Sequence, residues 1–220
     1  MINIAIDGPA GAGKSTIARG AAKELGYIYV DTGALYRSIA LNVIKNNINT
    51  EDKAAVVDLL KHTTVELKHI NGEQQVFLNG ENVSALIRTP EVSMGASSVS
   101  AIAEVRAFLL ELQREIAGNN NCIMDGRDIG TVVLPNAKIK IFLTASPECR
   151  AERRYKELVE KGERVEYNDV LDDIIKRDYN DSHREIAPLK PSEDSIIFDT
   201  TDFGLEESVN RLISIVEENK

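Results

Sequence analysis

The stretch Ile2-Asn3-Ile4-Ala5-Ile6-Asp7-Gly8-Pro9-Ala10-Gly11-Ala12-Gly13-Lys14-Ser15-Thr16 decides the fold of this 220-residue chain. Residues 2–6 read as a short buried strand, a glycine-rich turn follows at once, and a helix is expected over Lys14–Leu25. Positions 8–15 match the pattern G-x-x-x-x-G-K-[ST]. Glycines in such a turn let backbone N–H groups point inward around phosphate oxygens, and the helix N-terminus adds partial positive charge. Lys14 is expected to reach the β- and γ-phosphates, and the Ser15 hydroxyl to ligate Mg²⁺. Four constrained positions arise by chance in a chain of this length roughly one per cent of the time. Gly8, Pro9, Ala10, Gly11, Ala12, Gly13, Lys14, Ser15 and Thr16 are therefore the expected cradle for a nucleoside triphosphate.

Working outward, residues 27–30 form a second strand pattern, and Asp31-Thr32-Gly33 supplies cap chemistry for a helix starting near Ala34. Residues 122–125 and 138–143 read as inner strands, and 195–198 as the last one. An amphipathic helix follows, with Leu205, Val209, Leu212 and Val216 on one face. Strand alternating with helix predicts an α/β fold: a doubly wound parallel sheet with helices on both faces. The segment 62–85 breaks this rhythm, alternating apolar and polar residues between Asn71-Gly72 and Asn79-Gly80. Asn-Gly favours tight hairpins because both residues tolerate positive φ, so a small antiparallel insert is expected rather than a second domain. After it, 101–117 carries a helical stripe of Ile102, Val105, Leu109, Leu112 and Ile116.

Apolar residues make up 43% and charged residues 28%, a globular balance that excludes a disordered or collagen-like chain. Lys and Arg number 26 against 35 Asp and Glu, giving a net charge of −9 that argues against a binder of nucleic-acid polymers or anionic membranes. Cys122 and Cys149 make neither a metal-ligand spacing nor a disulfide framework, which favours a reducing compartment. No apolar run approaches the roughly 20 residues that span a bilayer, and no basic leader precedes the first strand, so a cytoplasmic protein is expected. With no long exposed apolar stripe in the sequence, a monomer is expected.

A phosphate cradle does not by itself separate a switch GTPase, a motor ATPase and a small-molecule kinase. The Asn-Lys-x-Asp guanine-reading pattern is absent, since Asn180-Asp181 lacks the lysine and Thr200-Thr201-Asp202 does not supply it. Arg37, Arg106, Arg127, Arg177 and Arg184 fall near expected strand ends, where open α/β sheets hold their ligands, although each alone reads more readily as a solvated surface arginine. Arg106 lies on the margin of an apolar stripe, where a charge needs a partner. Arg177, Asp181 and Arg184 share i, i+4, i+7 spacing, one helical face.

Several segments together resemble the bacterial cytidylate kinases, in order and over essentially the whole chain. They are residues 8–16, Asp31-Thr32-Gly33-Ala34-Leu35-Tyr36-Arg37, Ser97 with Val105-Arg106, Asp125-Gly126-Arg127-Asp128-Ile129-Gly130-Thr131, 140–143 and 177–188. The resemblance implies a kinase that transfers the γ-phosphoryl group of ATP, with Mg²⁺, to CMP or dCMP. It implies that Arg37, Arg127 and Arg184 hold the CMP phosphate, for which planar guanidinium forks are suited. Ser97, Arg106 and Asp128 would read cytosine, a carboxylate accepting from the N4 amino group. Arg177 and Asp181 would contact the ribose. Thr32 and Tyr36 would lie near the monophosphate, with a core-facing role equally open for Tyr36. Asp125 would serve the metal as a Walker-B-type carboxylate; Asp31 is either a second such group or a helix cap.

The charged stretch 148–165, with Arg150, Arg153, Arg154, Lys156, Lys161 and Arg164, reads in isolation as a solvated helix pair. The resemblance makes it a lid turning at Gly162, with Arg153 and Arg154 neutralising the phosphoryl group in flight. The organisation expected is one kinase domain over 1–220, including a β-rich monophosphate-binding insert at 63–100 and a lid at 148–165. A kinase for another small acceptor and a non-catalytic nucleotide switch are the alternatives.

Overall fold

Ile4, Ala5 and Ile6 are fully buried in β1 (Asn3–Asp7), which ends at the glycine-rich turn and passes into α1 (Lys14–Leu25). In this computed structural model, which describes residues 1–220, there follow β2 (Ile28–Asp31), α2 (Thr32–Lys45), α3 (Lys53–Leu60), β3 (Val65–Ile70), β4 (Glu73–Leu78) and β5 (Glu81–Asn82). A 3-10 turn at Leu86–Arg88 precedes α4 (Pro90–Ser100) and α5 (Ala103–Asn119). Then come β6 (Cys122–Gly126), a π turn at Ile129–Val133, β7 (Ile139–Thr144), α6 (Pro147–Glu160), α7 (Tyr167–His183), β8 (Ile196–Asp199) and α8 (Leu205–Asn219). Contacts divide the chain into two compact units: one comprises Ile28–Asn121 with Met1, the other Ile2–Tyr27 with Cys122–Lys220.

The second of these units is built on parallel strands in the order β6-β1-β7-β8, with Ile4 opposite Ile123 and Ile139, and Leu143 opposite Phe198. Strands buried on both faces carry unbroken apolar runs, here Ile4-Ala5-Ile6 in β1 and Ile141-Phe142-Leu143 in β7. Gly8 permits the close turn after β1: a Cβ there would lie 1.9 Å from the Leu143 carbonyl oxygen. α8 packs on α1, where a Cβ at Gly20 would come within 3.0 Å of Val209. Leu212 and Val216 are fully buried as expected, but Leu205 is 57% exposed because it is the first residue of its helix. α6 and α7 form a helical hairpin around Ala151, Leu158, Val170 and Ile174, turning at Lys161-Gly162.

The 28–121 unit packs α2 against β4, α4 and α5 around Leu35, Ile39, Val43, Val76, Leu78, Val99, Val105 and Leu109. Its sheet β3-β4-β5 is antiparallel, and both turns have the expected chemistry, with φ of 55° and 79° at Asn71-Gly72 and of 49° and 84° at Asn79-Gly80. The β-structure stops at Asn82, so the expected β-rich segment 63–100 is helical in its last third. α3 and α4 are additions to the sequence reading, each opened by a side-chain cap: Asp52 on the Ala55 N–H and Thr89 on the Val92 N–H. The helix expected over 101–117 begins at Ala103, because Ile102 has extended backbone at its N-cap.

Candidate functional site: the phosphate-binding loop and its charged surroundings

The N-cap of α1 is Gly13, in the left-handed region (φ 84°), and with no side chain it sets no cap over the first turn. Its leading N–H groups are thus presented by backbone geometry alone, the arrangement that suits an anion. Lys14 is buried, with Nζ donating to the Pro9 carbonyl at 2.7 Å. Burial and then the Arg127 charge pull its pKa down from the ordinary value to about 7, against the opposing pull of Asp125, Asp7 and Asp181. The Ser15 hydroxyl donates to Oδ2 of Asp125 at 2.9 Å. Asp125 itself is 3% exposed, inside β6. Two hard oxygen donors in contact at the mouth of a phosphate loop fit Mg²⁺, which keeps waters and phosphate oxygens rather than demanding an all-protein cage. No group of three or more His, Cys, Asp or Glu residues is placed to hold a metal.

Downstream of Asp125 the chain carries the expected base- and phosphate-reading residues of the second unit. Arg127 donates through Nε to Asp181 of α7 at 2.7 Å. Arg184 approaches Asp128 at 3.6 Å and donates through Nε to the Ala187 carbonyl. Arg184 is not on α7, which ends at His183; its ψ of 143° turns the chain into the 184–188 segment, so the i, i+4, i+7 face extends only from Arg177 to Asp181. Arg177 is exposed on α7, within the electrostatic reach of Arg127 and Asp181.

Two residues that the sequence reading did not single out hold this apparatus in place. Asp7, at the end of β1, accepts the Ile129 and Gly130 N–H groups at 2.6 and 2.7 Å, fastening the turn that follows Arg127-Asp128. Burial raises its pKa from 3.8 to about 6 even though both hydrogen bonds oppose the shift. Arg150, placed at first among solvated charges, is 2% exposed and bonds to Asp178 and to the carbonyls of Ala10 and Ala145. A carboxylate ending a buried strand is a signal present in the sequence for Asp7, whereas nothing local marks Arg150.

The two arginines expected on the lid, Arg153 and Arg154, differ from each other. Arg153 donates to the Thr200 carbonyl at 2.7 Å and to the Thr200 hydroxyl, and its Nη1 would lie 3.9 Å from a Cβ on Gly13. It therefore stands beside the phosphate loop with its fork turned to the 200–203 segment. Arg154 is farther out in solvent, paired with Glu157 one turn on.

Thr32, Tyr36, Arg37, Ser97 and Arg106 belong to the 28–121 unit. Asp31 caps α2 through the Ala34 N–H at 3.0 Å and pairs with Arg37 at 2.8 Å. Gln74 of β4 brackets the Asp31 backbone, accepting its N–H at 2.7 Å and donating to its carbonyl at 3.2 Å. Arg37 keeps a buried Nε without a hydrogen-bond partner, an orphan donor of the kind an anion satisfies. Arg106 is buried rather than marginal; it donates to the Ser100 carbonyl at 3.2 Å and lies 5.7 Å over the Tyr36 ring. Tyr36 packs on the apolar core of its unit, which is its core-facing reading. Thr32 is buried in the first turn of α2, and Ser97 is exposed on α4.

Cys122 and Cys149 are both free thiols; burial pushes the Cys122 thiol up to about 12. No helix is long and apolar enough to cross a membrane.

Residues 4–218 match the model of a family described as cytidylate kinase. The chain is 54% identical over 214 residues to a cytidylate kinase of Caldicellulosiruptor bescii, covering 97% of this chain and 95% of that one. It is 49% identical over 220 residues to a cytidylate kinase of Lactobacillus johnsonii, covering 100% and 96%. Among solved structures, a shikimate kinase from Bacteroides thetaiotaomicron aligns with a TM-score of 0.51 at 16% identity, covering 98% of each chain. A gluconokinase from Sinorhizobium meliloti 1021 aligns at 0.50 and 13% identity, covering 99% of this chain and 92% of its own. At such identities these two show the phosphate-loop kinase fold alone.

Proposed function

The chain belongs to the cytidylate kinase family, and on that premise we propose the roles of the residues that carry its reaction. It is an ATP-dependent nucleoside monophosphate kinase, transferring the γ-phosphoryl group of ATP to CMP or dCMP to give ADP and CDP or dCDP. The two units serve this one activity, with residues 148–165 acting as a lid. We take the protein to act as a monomer in the cytoplasm, on small nucleotides and not on a nucleic-acid polymer.

The attacking atom is an oxygen of a phosphate that is already ionised, so no general base is needed. What remains is alignment and neutralisation of charge on the transferring group. The loop 8–16 holds the triphosphate through its backbone N–H groups, and Lys14 places positive charge against it. Bound Mg²⁺ supplies further charge neutralisation on the phosphate oxygens, and Ser15 and Asp125 are the residues that would hold it. Arg153 stands beside Gly13 and exchanges its carbonyl partners at Thr200 and Phe203 for phosphate oxygens. Arg154 reaches the same phosphate oxygens from the lid surface by leaving the Glu157 carboxylate. Lid closure excludes water, whose attack would waste ATP.

On the acceptor side, Arg37 offers its orphan Nε, and Arg127 and Arg184 their forks, to the CMP phosphate. Asp128 accepts the cytosine amino group, with Ser97 and Arg106 completing base recognition. Asp181 and Arg177 hold the ribose, and Thr32 and Tyr36 line the monophosphate side. The observation that carries this reading is the hydrogen bond from Ser15 to Asp125 next to a buried lysine. It joins the phosphate loop to the strand that delivers Arg127 and Asp128. Replacing Lys14 by Ala tests it: transfer is expected to be abolished with the circular dichroism spectrum unchanged. Near-wild-type turnover would overturn the loop's role.

A further inference from the structure

One cation of α6 faces inward. Arg154 and Lys156 pair with glutamates of their own helix at the surface, but the Arg150 side chain is 3% exposed. Its guanidinium is occupied on every side. Nε donates to the Ala145 carbonyl just past β7 at 2.9 Å, and Nη1 donates to the Ala10 carbonyl in the middle of the phosphate loop at 3.0 Å. The fork closes on Asp178 of α7, Nη1 to Oδ1 at 3.0 Å and Nη2 to Oδ2 at 2.5 Å. The loop also packs on its stem: a Cβ at Gly11 would sit 3.4 Å from the Arg150 Cβ. One side chain thus connects the phosphate loop, the end of β7 and the middle of α7.

Stability alone does not call for such a pair. Removing two charges from water costs about as much as their attraction returns, and well-packed apolar residues of similar volume are usually as stable. A bidentate fork supplies something apolar packing lacks, a fixed distance and a fixed orientation between two elements. The elements it fixes are the donor loop and the helix on which Arg177 is the neighbour of Asp178 and Asp181, the partner of Arg127, stands three residues on.

We propose that Arg150, through its fork to Asp178 and its bond to Ala10, is a positioning residue for phosphoryl transfer that holds the phosphate-binding loop in register with α7. The inference rests on the reading of Arg177 and Asp181 as CMP contacts. Register matters because transfer requires donor and acceptor atoms in line, and a displacement of about 1 Å costs on the order of 10²-fold in rate. Each nucleotide's own contacts survive such a displacement, so affinity changes little while turnover falls.

The test uses Arg150→Lys, which keeps the charge and loses the fork, and Asp178→Glu, which keeps the carboxylate and lengthens the tie by one methylene. Steady-state ADP release with Mg·ATP and CMP is measured well below the melting midpoint of each variant. Expected are a fall in kcat of roughly 10–100-fold, KM values for ATP and CMP each within about threefold of wild type, and a double variant no worse than the poorer single one. Three results overturn the proposal: a lowered melting temperature with kcat within about twofold of wild type, an effect confined to KM, or loss of the native transition in both variants. The last two would mark the pair as ligand-binding and purely structural respectively. Asp181→Ala is run in parallel. An unchanged KM for CMP in that variant removes the CMP-contact reading of α7, which is a different failure from an unchanged kcat in the Arg150 and Asp178 variants.

Discussion

The Ser15 hydroxyl and the Asp125 carboxylate, 110 residues apart in the chain, are joined by a hydrogen bond of 2.9 Å. A helix N-terminus and the adjacent strand of a parallel sheet meet there, and the atoms that meet are the two expected to hold Mg²⁺. Replacing Asp125 by Asn keeps the shape of the side chain and removes its charge. The Mg²⁺ concentration giving half-maximal ADP release is expected to rise roughly 10–100-fold, a range typical of weakened metal sites. A magnesium titration of the variant with its activity curve unshifted would exclude Asp125 from that role.

Asp7 makes a pH prediction. Its folded pKa of about 6 lies above the ordinary 3.8, so on acidification the native state takes up this proton before the unfolded state does. The stabilisation linked to Asp7 is therefore fully present below about 3.8 and is lost as pH rises through about 6. Relative to Asp7→Asn, wild-type protein is expected to gain about 2 kcal/mol between pH 7.5 and pH 4, read from urea unfolding at each pH. A pH-independent difference between the two proteins would mean that Asp7 titrates normally.

Asp128 carries the prediction on specificity. A carboxylate accepts from the cytosine N4 amino group and repels the oxygen that uracil presents in its place, a contrast of about 1–3 kcal/mol. Asp128→Asn is expected to lower kcat/KM for CMP by roughly 5–150-fold while leaving that for UMP within a few-fold. Equal losses on both acceptors would remove Asp128 from base reading and leave its interaction with Arg184 as its role.

Much of this was legible in the sequence wherever the signal was local. The phosphate loop spans eight residues, and the two Asn-Gly turns set their hairpins by φ alone, so both were readable without partners. The caps at Asp52 and Thr89-Pro90 were equally local and mark α3 and α4, but weak amphipathicity left those helices unnoticed. What could not be read was the pairing of distant charges. Arg150 and Asp178 lie 28 residues apart, and Asp7 lies 122 residues from the Ile129 N–H it accepts. Only the fold brings such groups together, so a buried arginine looked like any other charge on a helix rich in them. The helical placement of Arg184 failed for a related reason: its i+7 spacing from Arg177 suggested one helical face, but α7 stops a residue short of it.

The central claim is the acceptor, and one measurement reaches it most directly: coupled ADP release with Mg·ATP and, in parallel, CMP, dCMP, UMP, AMP, GMP or no acceptor. Turnover dominated by CMP and dCMP is predicted, with little ADP formed when no acceptor is present. Comparable rates with UMP or AMP would contradict the base-reading set of Ser97, Arg106 and Asp128, and silence with every acceptor would contradict phosphoryl transfer itself.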